Sequence, residues 1–216
     1  LQPQSRTVVE GTNVTFSVGA AGTAPLSYQW RQNGFPLHNE TNSLLTLTNV
    51  PGSRAGSYDV VVGNLAGSVT SASATLAVVI PASIFGQPQD KVIKLGETAN
   101  FSVSANGTAP LAYQWFFNSA AQPQQTNATL TLTNAQAGQA GGYSVVATNL
   151  AGSATSRVAA LTVLLPPTIT AAPENRTAVE GTNVTFAVTA GGTPPLFYQW
   201  RQNGADLAGA NNSSLT

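Results

Sequence analysis

The chain has 216 residues, of which only 7% are charged, with eight basic against eight acidic side chains and neither cysteine nor methionine. That balance leaves no basic footprint for nucleic acid or an anionic membrane, and the missing cysteines exclude disulfides, thiolate metal sites and cysteine catalysis. No apolar run approaches the roughly 20 residues that cross a bilayer, so membrane insertion is not expected; with no signal peptide visible and no Met, the first residue is not expected to be a natural start.

In chain order, Val14, Phe16 and Val18 alternate with Asn13, Thr15 and Ser17, the period-two pattern of a half-buried strand. Leu26, Tyr28 and Trp30 form the next inward row, and Asn33-Gly34 suits the φ > 0 positions of a tight hairpin. Leu45 and Leu47 follow, then Tyr58, Val60 and Val62. Asn64-Leu65-Ala66-Gly67 reads as a hairpin turn before a last strand that ends near Leu76-Ala77-Val78. The series then restarts with Phe101, Val103, Trp115, Leu130, Leu132, Tyr143 and Val145, and again with Val184, Phe186, Val188 and Trp200. No segment carries a sustained helical period.

The three tryptophans, Trp30, Trp115 and Trp200, stand 85 residues apart inside one phrase, Pro-Leu-x-Tyr-Gln-Trp. A fixed long period means an array of one module. The expected architecture is all-β, with module 1 at 1–80, module 2 at 81–165 and a partial module 3 at 166–216. Ile80-Pro81 and Leu165-Pro166-Pro167 leave almost no linker, and proline stiffens each joint, so a rod is expected. Strands of ten to twelve residues at ~3.3 Å each predict roughly 35–40 Å per module. Leu215 aligns with Leu130, so the third copy stops as its fifth strand begins and its Trp row is expected to be exposed. Two readings stay open: an excerpt from a longer array, or strands supplied by another chain. Copies one and three share Val-Glu-Gly-Thr-Asn-Val-Thr-Phe and Tyr-Gln-Trp-Arg-Gln-Asn-Gly, which points to a two-module repeating unit.

A Trp on the third strand, Gly56-Ser57-Tyr58 and Gly141-Gly142-Tyr143 at the start of the sixth, and the Asn-x-x-Gly hairpin after it resemble the immunoglobulin superfamily, closest to its intermediate set. The resemblance implies serial β-sandwiches with Trp30, Trp115 and Trp200 in the core, and Tyr58 and Tyr143 as corner tyrosines bonded back to main chain. It also implies that the family's inter-sheet disulfide is replaced by Val18–Val60 and Val103–Val145, with Val188 as the remaining half in copy three. Losing a native disulfide typically costs ~2–5 kcal/mol; two fully buried valines at about 1.5–3 kcal/mol each offset much of it. Arg54 and Gln139 stand where the family has an acid, so its Asp–Arg bridge is absent or rebuilt. In style the chain resembles cysteine-free Ig-like repeats of very large bacterial surface or secreted proteins, which implies an extracellular or cell-surface location.

Candidate chemistry is sparse. His38 is the only histidine and has no counterpart in the other copies, and the eight carboxylates are scattered, so neither catalysis nor a cofactor is expected, with calcium at a joint kept as a minor alternative. No Gly-x-Ser-x-Gly elbow exists. Nine Asn-x-Ser/Thr sequons, at Asn13, Asn39, Asn100, Asn106, Asn127, Asn175, Asn183, Asn211 and Asn212, exceed the three or four that chance gives at roughly a fifth Ser and Thr, which leaves surface glycans as one explanation and repeat copying as another. Phe197 lies between two inward residues and is expected to face outward, as is one of Phe116 and Phe117. These three are the candidate contact surface, for protein or, as the alternative, for stacked sugar. The functional expectation is a structural or adhesive array that forms a stiff stalk or associates with itself; the alternative is a set of spacer or binding modules in a larger secreted enzyme or adhesin.

Overall fold

The alternating residues fold as short strands in a computed structural model that describes residues 1–216. Module 1 contains β1 (Arg6–Val9), β2 (Val14–Ser17), β3 (Ser27–Gln32), β4 (Phe35–Pro36), β5 (Leu44–Leu47), β6 (Gly56–Asn64), β7 (Gly67–Thr70) and β8 (Ala74–Val79). Module 2 contains β9 (Ser83–Gly86), β10 (Lys91–Lys94), β11 (Ala99–Ser102), β12 (Ser104–Asn106) and β13 (Ala112–Phe117). Then come β14 (Ala120–Ala121), β15 (Thr129–Leu132), β16 (Gly141–Asn149), β17 (Gly152–Thr155) and β18 (Ala159–Leu164). Module 3 contributes β19 (Thr168–Ala171), β20 (Phe186–Ala187), β21 (Thr189–Gly191), β22 (Arg201–Gln202), β23 (Ala205–Asp206) and β24 (Ser214–Leu215). No α-helix forms; the helical turns are 3₁₀, at Gly52–Arg54 and Ala137–Gln139.

Two sheets make module 1. One runs β1-β8-β6-β3-β4, with β7 as a further partner of β6; the other is the pair β2-β5. β1 lies parallel to β8, whereas β3–β6 and β2–β5 are antiparallel. Module 2 repeats this as β10-β18-β16-β13-β14 and β11-β15, and adds the pair β9-β12. The chain is thus all-β, a tandem of sandwiches without a disulfide. The Val60 N–H donates to Ser71 Oγ at 3.1 Å across the gap between β7 and β8. Val145 N–H makes the same bond to Ser156 at 3.0 Å, which satisfies the one buried polar side chain.

Between the sheets, Phe16 stacks on Tyr58 at 5.1 Å and meets Trp30 at 6.3 Å. Phe101 repeats both contacts with Tyr143 and Trp115, at 5.0 and 6.3 Å. Trp30 and Trp115 are each 0% exposed, and their indole N–H groups donate to the carbonyls of Asn42 and Asn127 at 2.8 and 2.9 Å. The Tyr58 and Tyr143 hydroxyls donate to the carbonyls of Arg54 and Gln139, both at 2.8 Å. Their glycine neighbours are equally constrained: Gly56 and Gly141 have φ of +148° and +154°, and a Cβ would strike the Asn33 and Asn118 side chains. Those same asparagines accept the N–H of Ser57 and Gly142 at 2.9 Å, tying each hairpin turn to the Tyr strand.

Three expectations need correction. Val60, Val103 and Val145 are buried, but Val18 lies beyond the end of β2 and is only half-buried against the core. It therefore offsets less than a fully buried valine. Trp200, which the resemblance puts in the core, is half-exposed, in keeping with the exposure expected of the third copy's Trp row, because no strand equivalent to β16 pairs beside it. The longest strands have nine residues rather than ten to twelve, which shortens them to about 30 Å.

Burial pushes the Tyr58 and Tyr143 hydroxyls above their usual range, while the nearby Arg54 charge pulls Tyr58 part of the way back. A phenol raised in the folded state stabilises the fold below its unfolded value near 10, and that stability is lost as pH rises through the folded value. Chemical denaturation from neutral to alkaline pH checks this. Wild-type stability falls above about pH 10, whereas the Tyr58→Phe/Tyr143→Phe double variant starts lower by about 1 kcal/mol per site and declines less steeply.

Candidate functional site

The joint between modules is the most constructed feature outside the cores. Only Ile80, Pro81 and Ala82 separate β8 from β9. The Ile80 N–H donates to Thr108 Oγ1 at 2.7 Å, and the Thr108 N–H donates back to the Ile80 carbonyl at 3.0 Å. Asn149 Nδ2 donates to that same carbonyl at 2.7 Å and to the Thr108 carbonyl at 2.9 Å. Its Oδ1 meanwhile accepts the N–H groups of Ala151 and Gly152 at 3.0 and 3.1 Å, closing the Asn-Leu-Ala-Gly turn. The link residue thus has both main-chain groups held by module 2. Gly107 allows the approach: it has φ of +144°, and a Cβ there would sit 3.0 Å from Ala82 Cα and the Pro81 carbonyl.

The second joint repeats the clamp. Leu165 N–H donates to Thr193 Oγ1 at 2.7 Å, and Thr193 N–H to the Leu165 carbonyl at 3.0 Å. Gly192 takes the place of Gly107: a Cβ there would sit 3.0 Å from the Pro166 carbonyl and Pro167 Cα. Module 1 keeps the same apparatus: Asn64 Nδ2 donates to the Thr23 carbonyl at 3.0 Å. Sequence reasoning found the prolines but missed Thr108, Thr193 and Asn149. The signal was available in Gly22-Thr23, Gly107-Thr108 and Gly192-Thr193, which recur with the module.

The candidate contact residues separate. Phe117 turns inward opposite Tyr143 and packs on its ring at 4.9 Å, so it belongs with the module 2 core and not with a contact surface. Phe116 faces Ser144 across the sheet and is half-buried. The matching pair in module 1 is Arg31–Asp59, bonded at 2.6 Å, which holds the Arg31 guanidinium above its usual range. Phe197 is 90% exposed, beside a hollow of about 470 Å³ also lined by Ile169, Leu196, Tyr198 and Trp200. In module 2 the equivalent Tyr113 and Trp115 stand on β13 beside its paired neighbour β16, and no such pair flanks the hollow in module 3.

His38 and all nine sequon asparagines are exposed. Glu10 accepts the Gly52 N–H at 2.9 Å, a loop-closing role for the repeated Glu-Gly-Thr-Asn phrase. No three His, Cys, Asp or Glu side chains come together in a group that could hold a metal ion, and no helix is long and apolar enough to cross a membrane. The separation of the phenylalanines is checked by two substitutions read by denaturant unfolding. Phe117→Ala costs about 2 kcal/mol, near half the value for a fully buried ring, and Phe197→Ala stays within about 0.5 kcal/mol.

Similarity to known proteins agrees with this architecture. A family profile described as Immunoglobulin domain matches residues 1–64 and 81–149. Mouse Hemicentin-2 is 30% identical over 96% of the chain, the human Peroxidasin homolog 27% over 96%, and human Roundabout homolog 1 28% over 82%. The chain spans only 4%, 15% and 11% of those relatives. An I-band fragment of titin superimposes with a TM-score of 0.78 at 24% identity, covering 97% of this chain and 80% of that one. Sidekick-1 immunoglobulin domains 1–5 give 0.51 at 22% identity, over 100% of this chain and 51% of that one. With its sandwich, corner tyrosines and matched profile, the chain belongs to the immunoglobulin domain family.

Proposed function

We propose that the chain is a stretch of a structural or adhesive array, at the cell surface or outside the cell, whose serial modules form a stiff stalk or a self-associating fibre. Its partners are proteins: neighbouring modules along the array and further copies beside it. The modules supply spacing and contact rather than catalysis. The observation that carries the reading is the two-way clamp of Ile80 by Thr108, repeated at Leu165 by Thr193. A flexible tether would leave the link residue's main chain to water; here both groups are held by the next module. Relatives that match along the whole chain yet are many times longer support membership in an extended array.

Small-angle X-ray scattering of the full chain tests it. The wild type is expected to scatter as one elongated particle. Thr108→Val removes the acceptor for the Ile80 N–H, and Asn149→Ala removes two donated bonds, each at a cost of about 1–3 kcal/mol local to the joint. The double variant is expected to keep both unfolding transitions while its distance distribution broadens and flattens. A wild type already broad and flexible, or a double variant that scatters identically, would sink the stiff-array reading.

A further inference from the structure

Each complete module has several open sheet edges, and one of them is formed by β5 or its counterpart β15. β5 pairs with β2 alone, and β15 with β11 alone. The Val18 N–H donates to the Ser43 carbonyl and the Val103 N–H to the Ala128 carbonyl, both at 3.0 Å, which fixes the phase of each ladder. Bonded residues alternate along an antiparallel strand, so Leu45 and Leu47 turn their main-chain groups toward β2 while Leu44 and Thr46 turn theirs away. Thr129 and Thr131 turn away from β11 in the same manner. No other strand pairs with either edge. Beside β5 the sheets part into an open groove of about 680 Å³, lined among others by Leu26, Tyr28, Ser43 and Leu44.

Exposed edges are ordinarily guarded by lysine, proline, an inward charge or a bulge. Leu44-Leu45-Thr46-Leu47 and Thr129-Leu130-Thr131-Leu132 carry none of these residues, and neither pairing contains a register shift. The chain's net charge of zero adds no repulsion.

We propose that this edge is a docking site for a second copy of the chain, with β5 or β15 of two molecules paired antiparallel about a two-fold axis. This rests on the array reading above and names the contact by which arrays join sideways. A two-fold contact must be complementary to itself, and an antiparallel edge pair is so by construction. Leu44 of one copy stands opposite Thr46 of the other, and Thr46 opposite Leu44, with about four backbone hydrogen bonds between them. Neither side chain is charged, so the pairing sets no like charges opposite each other. The result extends each two-stranded sheet to four strands. One such contact is small and weak alone; serial modules raise the effective concentration of the next, so association strengthens with the number engaged.

Sedimentation velocity of the full chain over a concentration series is the test, with Thr46→Lys/Thr131→Lys and Thr46→Pro/Thr131→Pro as variants. Each replaces an exposed residue whose N–H points away from its ladder, so both variants retain the wild-type unfolding midpoint within a few degrees; if the proline variant fails to fold, the lysine variant carries the test. Wild type is expected to associate reversibly, and both edge variants to weaken association about tenfold or more. Phe197→Ser, at the exposed aromatic of module 3, is expected to associate like wild type. Association unchanged in the edge variants, or abolished by Phe197→Ser, overturns the edge site and leaves lateral assembly standing. A wild type that stays monomeric at every concentration overturns edge and lateral assembly together, and the stiff-rod reading then stands or falls on the scattering experiment.

Discussion

The ring of Phe16 lies against Tyr58 and Trp30 at once, and this three-ring contact across two sheets is what the rest of module 1 depends on. Large aromatic pairs contribute about 0.5–1.5 kcal/mol beyond their buried area. Here the trio also fixes geometry, because two of its members carry polar ends. The indole reaches the loop before β5 and the phenol reaches the turn before β6, so each ring locks an element that is not its own. With no cysteine to join the sheets, cross-sheet rigidity has to come from such non-covalent contacts. Module 2 repeats the arrangement with Phe101, Trp115 and Tyr143, and adds Phe117 against the tyrosine ring.

Because each complete module closes its own core, the links between modules are free to specialise. Three residues cannot bury much apolar surface, and Ile80 and Leu165 remain partly exposed. Directional hydrogen bonds to Thr108 and Thr193 therefore define the joint, backed by close main-chain approach at Gly107 and Gly192. The same economy of charge that leaves the surface without a nucleic-acid footprint also leaves β5 and β15 without the lysines that ordinarily keep sheet edges apart, both lysines of the chain lying on β10. The hydrogen-bonded joint and the open edge thus have separate structural causes.

Much of this was legible in the sequence, for a physical reason in each case. The Trp phrases, the Tyr phrases and Asn33-Gly34 are local patterns whose conformations depend on near neighbours. Trp200 separates phrase from burial: its phrase matches those of Trp30 and Trp115, but an indole is buried only when strands are paired beside it, and the early stop of the third copy already pointed to exposure. Val18 and Val103 each stand one step past their strand, β2 and β11, yet only Val103 is buried, a difference that alternation alone does not distinguish. Phe117 could have been placed correctly, since it follows Trp115 by two positions on one strand and must share its face. The Thr108 clamp was hidden because its partner lies 28 residues earlier, and nothing in a threonine announces a bond across that separation. The open edges of β5 and β15 are statements about a strand that is absent beside them, which only the topology reveals.

One feature of the sheet order bears on how such a module behaves under load. The first strand of module 1 runs parallel to its last, with Arg6 beside Leu76 and Val9 beside Val79. Tension arriving through the two ends of the module pulls these neighbours in opposite directions along their common axis. The bonds between them are then strained side by side, all at one moment, instead of parting in succession as they would if the strands were peeled from one end. Module 2 has the same layout, with Lys91 beside Leu161 and Lys94 beside Leu164. Under such a pull each module is loaded along its whole terminal seam, whose bonds part together.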